Sequence, residues 1–310
     1  MNPGETRDVV IIGAGPAGLA AGVYTGRARL STLILEKLIP GGQTLMTNWI
    51  ENYPGFPDGI APFELVEHFR RQAERFGAVI ESEEVTGLRP DSGNWIVTGR
   101  AREFRTRAVI IATGGAYRKL CIPNVERLAG RGVSYCATCD GAFFRDELVA
   151  VVGGGDNALT EAIFLTKFAK KLYLIHRRDQ LRAIKILQER VLSNPRIEVL
   201  WSSIVESVEG ESRLEKVVVR NLRENRTYEL PLDGLFVSIG LDPHSGIVRG
   251  LVDLNERGEI KVKPGMATSQ KGIFAAGDVA DACPKQVAVA VGAGVTAALS
   301  VTAYLETLGG

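Results

Sequence analysis

Two cysteines lie two residues apart with an acid directly after the second: Cys136, Cys139 and Asp140, in the stretch YCATCDG (135–141). These are residue types and a spacing that can do chemistry. A Cys-X-X-Cys pair has three readings: half of a zinc site, a structural staple, or a dithiol that cycles between reduced and oxidised forms. An adjacent carboxylate suits the third, because thiol chemistry needs a group that takes and returns protons. The spacing alone leaves all three open, so the surrounding elements have to choose.

The chain has 310 residues, 45% of them apolar and 24% charged. That length accommodates about two domains, each with its own core. The 37 basic and 36 acidic residues nearly cancel, which gives no general electrostatic argument for nucleic acid or a membrane surface as partner. The apolar stretch VAVAVGAGVTAALSVTAYL (287–305) carries Gly292, Gly294, Thr296 and Ser300. It reads as a buried small-residue helix of a soluble protein rather than a membrane span. With no segment that reads as a signal peptide, the cytoplasm is the expected compartment. There, four cysteines favour a catalytic or metal role for the close pair over a stapled scaffold.

An internal repeat organises the chain. DVVIIGAGPAGLA (8–20) and LVAVVGGGDNALT (148–160) superimpose at a constant offset of 140, with Gly13 on Gly153, Gly15 on Gly155 and Gly18 on Ala158. Each begins with a β-branched run, as a buried parallel strand does, and continues as a helix. Each then reaches a second strand, STLILEK (31–37) or KLYLIHRR (171–178). This context turns a weak G-x-G-x-x-G match into two dinucleotide-binding units. The first glycine makes the turn, the second admits a pyrophosphate, and the third position allows close helix–strand packing. The candidate contacts are Gly13, Gly15, Pro16, Ala17 and Gly18 in one unit, and Gly153, Gly155, Asp156, Asn157 and Ala158 in the other.

The ends of the two second strands differ in charge. Glu36, followed by Lys37, can accept hydrogen bonds from an adenosine ribose and would repel a 2′-phosphate. The same register in the second unit holds His176, followed by Arg177, Arg178 and Arg182, a cluster that suits a 2′-phosphate. The first site is therefore expected to take an unphosphorylated adenosine and the second NADPH. Two nicotinamide sites would leave hydride no acceptor, whereas flavin accepts two electrons from nicotinamide and can hand them to a disulfide. Two further segments fit an FAD site. AVIIATGG (108–115) carries Ala112, Thr113 and Gly114, and GIFAAGDVA (272–280) carries Gly277, Asp278 and Val279.

From about residue 6 to its end, the sequence resembles the low-molecular-weight thioredoxin reductases of the bacterial and archaeal type. The resemblance is carried by GAGPAG (13–18), EK and PGGQ within 36–43, IENYPGF (50–56) and GRGVSYCATCDG (130–141). GGGDNALTEA (153–162), HRRDQLRA (176–183) and GIFAAGDV (272–279) complete it. It implies an α/β fold of two Rossmann-like domains, of the class II pyridine nucleotide-disulfide oxidoreductase type. The NADPH domain (117–244) would be inserted into a discontinuous FAD domain (1–116 and 245–310). Gly42, Gln43, Asn52, Asp278, Gln286 and Val287 would lie along FAD, and Ile239 and Gly240 complete the cofactor-binding set. Cys139 would be the sulfur next to the isoalloxazine, Cys136 the thiol that attacks the partner, and Asp140 the acid/base. The partner would be thioredoxin or a thioredoxin-like disulfide, and the assembly a homodimer. NADH or ferredoxin as donor is the alternative, against which the arginine cluster speaks. The sequence departs from the family pattern at Asn157, at Leu241, and at Pro284–Lys285–Gln286, where Tyr–Arg–Gln is usual.

Within this frame the opening pair reads as a redox-active dithiol, with a helix start after it lowering a thiol pKa. Zinc would need two more ligands, but Cys121 and Cys283 are isolated and His68, His176 and His244 are scattered, so no metal is expected. Cys121 and Cys283 read as incidental, small and semi-buried. Nicotinamide and dithiol must reach one flavin in turn, so rotation about Gly114–Gly115 and Gly240 is expected.

Overall fold

A computed structural model describes residues 6–47, 49–281 and 284–308; Cys283 lies outside them. The chain opens with β1 (Arg7–Ile12), α1 (Pro16–Arg27), β2 (Thr32–Glu36), α2 (Pro62–Arg75) and β3 (Val79–Ser82). β4 (Val85–Asp91), β5 (Asn94–Gly99) and β6 (Glu103–Ile111) follow as an antiparallel meander. After β7 (Gly115–Tyr117) come β8 (Val133–Ser134), α3 (Ala137–Asp140), β9 (Leu148–Val152), α4 (Asp156–Leu165) and β10 (Lys171–Ile175). Then α5 (Lys185–Leu192), β11 (Ile197–Leu200) and a second meander of β12 (Ser203–Glu209), β13 (Lys216–Asn221) and β14 (Arg226–Pro231) lead to β15 (Gly234–Val237). The chain ends with β16 (Leu241–Pro243), β17 (Ile273–Ala275) and α6 (Val287–Leu308).

The chain divides into two units, Met1–Ala116 with Asp242–Gly310, and Tyr117–Leu241. In the first, the strand order is β3-β2-β1-β6-β5-β4. β6 is long enough to serve two partners: its first half pairs with antiparallel β5, its second with parallel β1 and β17. In the second, a five-stranded sheet is parallel throughout, in the order β11-β10-β9-β15-β8, beside the antiparallel β12-β13-β14. The order β3-β2-β1-β6 thus recurs as β11-β10-β9-β15, the structural form of the sequence repeat. Val9–Ile11, Leu33–Leu35, Ala108–Ile111 and Val149–Val151 are all but inaccessible. Strands covered on both faces are continuous apolar runs for this reason.

α6 departs from the fully buried helix expected of it. Ala290, Ala293, Gly294, Ala297, Ala298, Val301 and Leu305 form a buried stripe, and α6 packs on α1. A Cβ on Gly294 would collide with the Ala17 carbonyl, so the two backbones touch there. Leu299 and Ala303 on other faces are exposed. Among the described residues, α6 alone is long and apolar enough to cross a membrane.

Candidate active site

Parallel strands gather the residues at their carboxyl ends along one sheet edge. In the first unit the residues after β1, β2, β6 and β17 are the Gly-rich turn, Glu36–Lys37, Ala112–Gly114 and Gly277–Val279. Gly13 has φ +106° and no room for a Cβ beside the Ala112 carbonyl, so the fold itself requires glycine there. Gly15 is different. Its φ of −74° and ψ of −178° suit any residue, and nothing lies within 4 Å of a Cβ built on it. Protein packing does not demand this glycine. The open space at the start of α1 fits a pyrophosphate, which the free N–H groups of a helix start attract.

Glu36 and Gly42 border that opening. Glu36 Oε2 accepts from the Ala14 N–H at 2.8 Å and Oε1 from Leu38 N–H at 3.1 Å. The carboxylate is thereby fixed over the turn, with lone pairs left for a ribose. A Cβ on Gly42 would lie 3.7 Å from the Gly15 Cα, so the helical turn Gly42–Met46, with Gln43, borders the same space. Asn52 Nδ2 donates to Gln286 Oε1 at 3.1 Å across 234 positions of sequence. Thr113 spends its hydroxyl on the His244 carbonyl at 2.8 Å. Burial pushes the Asp278 carboxyl up, and the Lys285 ammonium opposes that shift.

The second unit repeats the arrangement. A Cβ on Gly153 would come within 2.5 Å of the Ser238 carbonyl, whereas Gly155, at φ −98° and ψ −179°, faces open space. Asn157 is exposed and Ala158 buried at the start of α4, and Ile239–Gly240 follow β15. The segment after β10 is non-helical as far as Ile184 and is clamped to the glycine turn. Arg182 N–H donates to the Gly154 carbonyl at 2.8 Å, and Ile184 N–H to Asp156 Oδ1 at 2.8 Å.

His176 is placed differently from the arginines that follow it. It is buried at 5% exposure, its ring fills the space over Gly154, and Nε2 meets the Gln180 carbonyl at 2.9 Å. It supports the loop from below, whereas the arginines expected to meet a phosphate, Arg177, Arg178 and Arg182, lie on its outer side. These three are exposed. Among the described residues, no carboxylate lies within ion-pair distance of their guanidinium groups.

The dithiol follows β8 at this same edge. β15 separates β8 from β9, so the sulfurs start about 10 Å laterally from the second glycine turn, two strand spacings away. Cys136 and Cys139 are joined as a disulfide. The helix α3 begins between them rather than after them. Cys136 is its N-cap, and its sulfur accepts the Cys139 N–H at 3.2 Å. A thiolate on Cys136 is stabilised by that N–H. Asp140 Oδ2 accepts the Ser134 hydroxyl at 2.6 Å, and Ser134 Oγ accepts the Cys136 N–H at 3.1 Å. The acid is thus tied to the cysteine through one buried serine. Cys121, expected to be semi-buried, is exposed because the segment 119–127 lines an open surface groove.

A family model described as pyridine nucleotide-disulphide oxidoreductase matches residues 7–294. The chain belongs to this family. A thioredoxin reductase of Streptomyces coelicolor is 44% identical over 307 residues, spanning 98% of this chain and 95% of that protein. One from Bacillus subtilis is 42% identical over 309 residues, spanning 99% and 98%. The crystal structure of thioredoxin reductase from Streptococcus pyogenes is similar with a TM-score of 0.93 at 41% identity, covering 97% of this chain and 99% of that one. Two copies of a nucleotide-binding unit and a disulfide between close cysteines are what this family name describes.

Sequence reasoning passed over two residues of the second unit. Ser134 carried no signal except its place two positions before Cys136. Glu161 looked like one more polar residue of α4, yet its Oε2 is enclosed with no hydrogen-bond partner. Burial pushes the Glu161 carboxyl up to about 7, against the opposing Ser238 hydroxyl. A raised pKa means that the folded chain holds the proton more tightly than the unfolded one. The associated stability is complete below pH 4.5, the ordinary value, and is lost as pH rises through about 7. Glu161→Gln should therefore be more stable than the parent at pH 8, by about 3 kcal/mol, with the gap closing at pH 4.5. Urea denaturation of both proteins at the two pH values measures it. Parallel pH dependences would show that Glu161 is not the source.

Proposed function

We propose that the protein is an NADPH-dependent thioredoxin-disulfide reductase working through FAD and the Cys136–Cys139 dithiol. The observation that carries this reading is the disulfide at the edge of the second sheet, with an N–H on the Cys136 sulfur and an acid tied to it through Ser134. The first unit would hold FAD through its Gly13–Gly18 turn, Glu36, Asn52, Asp278 and Gln286. The second would hold NADPH through its Gly153–Ala158 turn and the three arginines. Bound FAD supplies the two-electron link between nicotinamide and disulfide.

The chain's own residues supply the rest. Once the disulfide is reduced, the Cys136 sulfur sits as a thiolate on the Cys139 N–H, and Asp140 holds or returns the proton. Cys136 attacks one sulfur of the thioredoxin disulfide, and the other thioredoxin sulfur leaves as a thiolate that takes a proton. Cys139, deprotonated, then attacks Cys136 in the mixed disulfide. The second thioredoxin sulfur leaves as a thiol and the Cys136–Cys139 bond re-forms. The dithiol and the second glycine turn belong to one unit and the first glycine turn to the other. Successive access to one flavin therefore calls for rotation on the two chain crossings after Gly114 and Gly240. The protein acts in the cytoplasm as a homodimer.

An anaerobic titration with NADPH tests this reading. Uptake of about four electrons per flavin, two by the flavin and two by the disulfide, is expected. Uptake of only two would disconnect the cysteines from the flavin and overturn the reading.

A further inference from the structure

Within the Pro284–Lys285–Gln286 departure, Lys285 replaces the usual arginine with a side chain built into the first unit. The side chain is 24% exposed, and its Nζ lies 3.0 Å from Glu259 Oε1. It donates to the carbonyls of Asp278 at 2.8 Å and Ala280 at 3.1 Å. Three acceptors thus match the three protons of the ammonium. Glu259 is 9% exposed, and its other oxygen accepts Asn255 Nδ2 at 2.8 Å, so the anchor of the pair is itself held.

Lys285 directly precedes Gln286 and Val287, where α6 begins, while its carbonyl acceptors belong to the turn Gly277–Ala280. One side chain ties the start of α6 to that turn. Gln286 in turn holds Asn52, so turn, helix start and the 50–56 loop form one connected frame. The charged groups acting on the half-buried Asp278 carboxyl are Lys285, which favours its ionised form, and Glu259, which opposes it. α1, α6 and β17 flank the turn without an ionisable group in the parts nearest it.

We propose that Lys285 is a positioning residue for FAD, holding Asp278 and Gln286 in the arrangement that receives the ribitol and flavin end of the cofactor. This rests on the first unit being the FAD site. Lys285 acts through the groups it holds and through the charge it places beside Asp278. Arginine, with its fork of donors, can serve the same acceptors.

Removing the lysine alone would leave Glu259 unpaired in the interior, so the informative variant is Lys285→Met/Glu259→Gln, compared with Lys285→Arg. The measurement is the dissociation constant of FAD, read from flavin fluorescence released on dilution of the FAD-loaded protein. The double variant should bind FAD at least about tenfold more weakly. Lys285→Arg should stay within about threefold of the parent. A double variant with parental affinity, or a Lys285→Arg variant as weak as the double variant, would overturn the proposal alone. A parent protein that holds no FAD would overturn the reading of the first unit, and this proposal with it.

Discussion

Cys139→Ser should abolish multiple-turnover reduction of thioredoxin, lowering it by more than about 10³-fold, while trapping thioredoxin on the protein as a covalent adduct. The two cysteines are not equivalent in the structure. The Cys136 sulfur caps α3 and accepts a backbone N–H, and that donor survives replacement of the Cys139 side chain. Cys136 would therefore still form a thiolate and attack oxidised thioredoxin, but nothing would resolve the mixed disulfide. Cys136→Ser should show the same loss of turnover and no adduct, because Cys139 lies inside the helical turn without that donor. In both variants NADPH should still bleach the flavin, since neither cysteine lies on the path between nicotinamide and flavin. Mass spectrometry after mixing each variant with oxidised thioredoxin reads the difference. An adduct on Cys136→Ser and none on Cys139→Ser would exchange the two roles.

The sequence made the architecture legible because the requirements that produce it are local. A parallel strand covered on both faces must be a continuous apolar run, and a glycine turn ahead of a helix must keep its spacing. Both features survive in two copies at a fixed offset. The places of the candidate residues at the sheet edges were legible too, since topology carries any residue after a parallel strand to the same end of the sheet. The illegible parts depend on neighbours remote in sequence. The burial of His176 comes from Gly154, 22 positions earlier. The enclosure of Glu161 comes from the end of β15, and the Lys285 frame joins residues spread from Asn52 to Gln286. α3 was misplaced by three residues for a simpler reason. A cysteine was not considered as an N-cap, a role usually filled by Ser, Thr, Asp or Asn.

Arg177→Ala/Arg182→Ala should lower kcat/KM for NADPH by about 10²-fold or more and leave that for NADH nearly unchanged. Two charge-assisted hydrogen bonds of roughly 1.5–3 kcal/mol each would disappear, and only the phosphorylated nucleotide makes them. The structure separates this effect from damage to the loop. The guanidinium groups are exposed, while the loop is held by other groups: the buried His176 ring, the Arg182 backbone N–H and Asp156. An alanine at 182 keeps that backbone bond. His176→Ala is the complementary case, because it removes the support under Gly154 and should weaken NADPH and NADH alike. Steady-state kinetics with both nucleotides at constant ionic strength distinguishes the two patterns. If the double arginine variant lost both nucleotides equally, the arginines would be holding the loop rather than reading the phosphate. If it lost neither, recognition of the 2′-phosphate would have to lie elsewhere in the second unit.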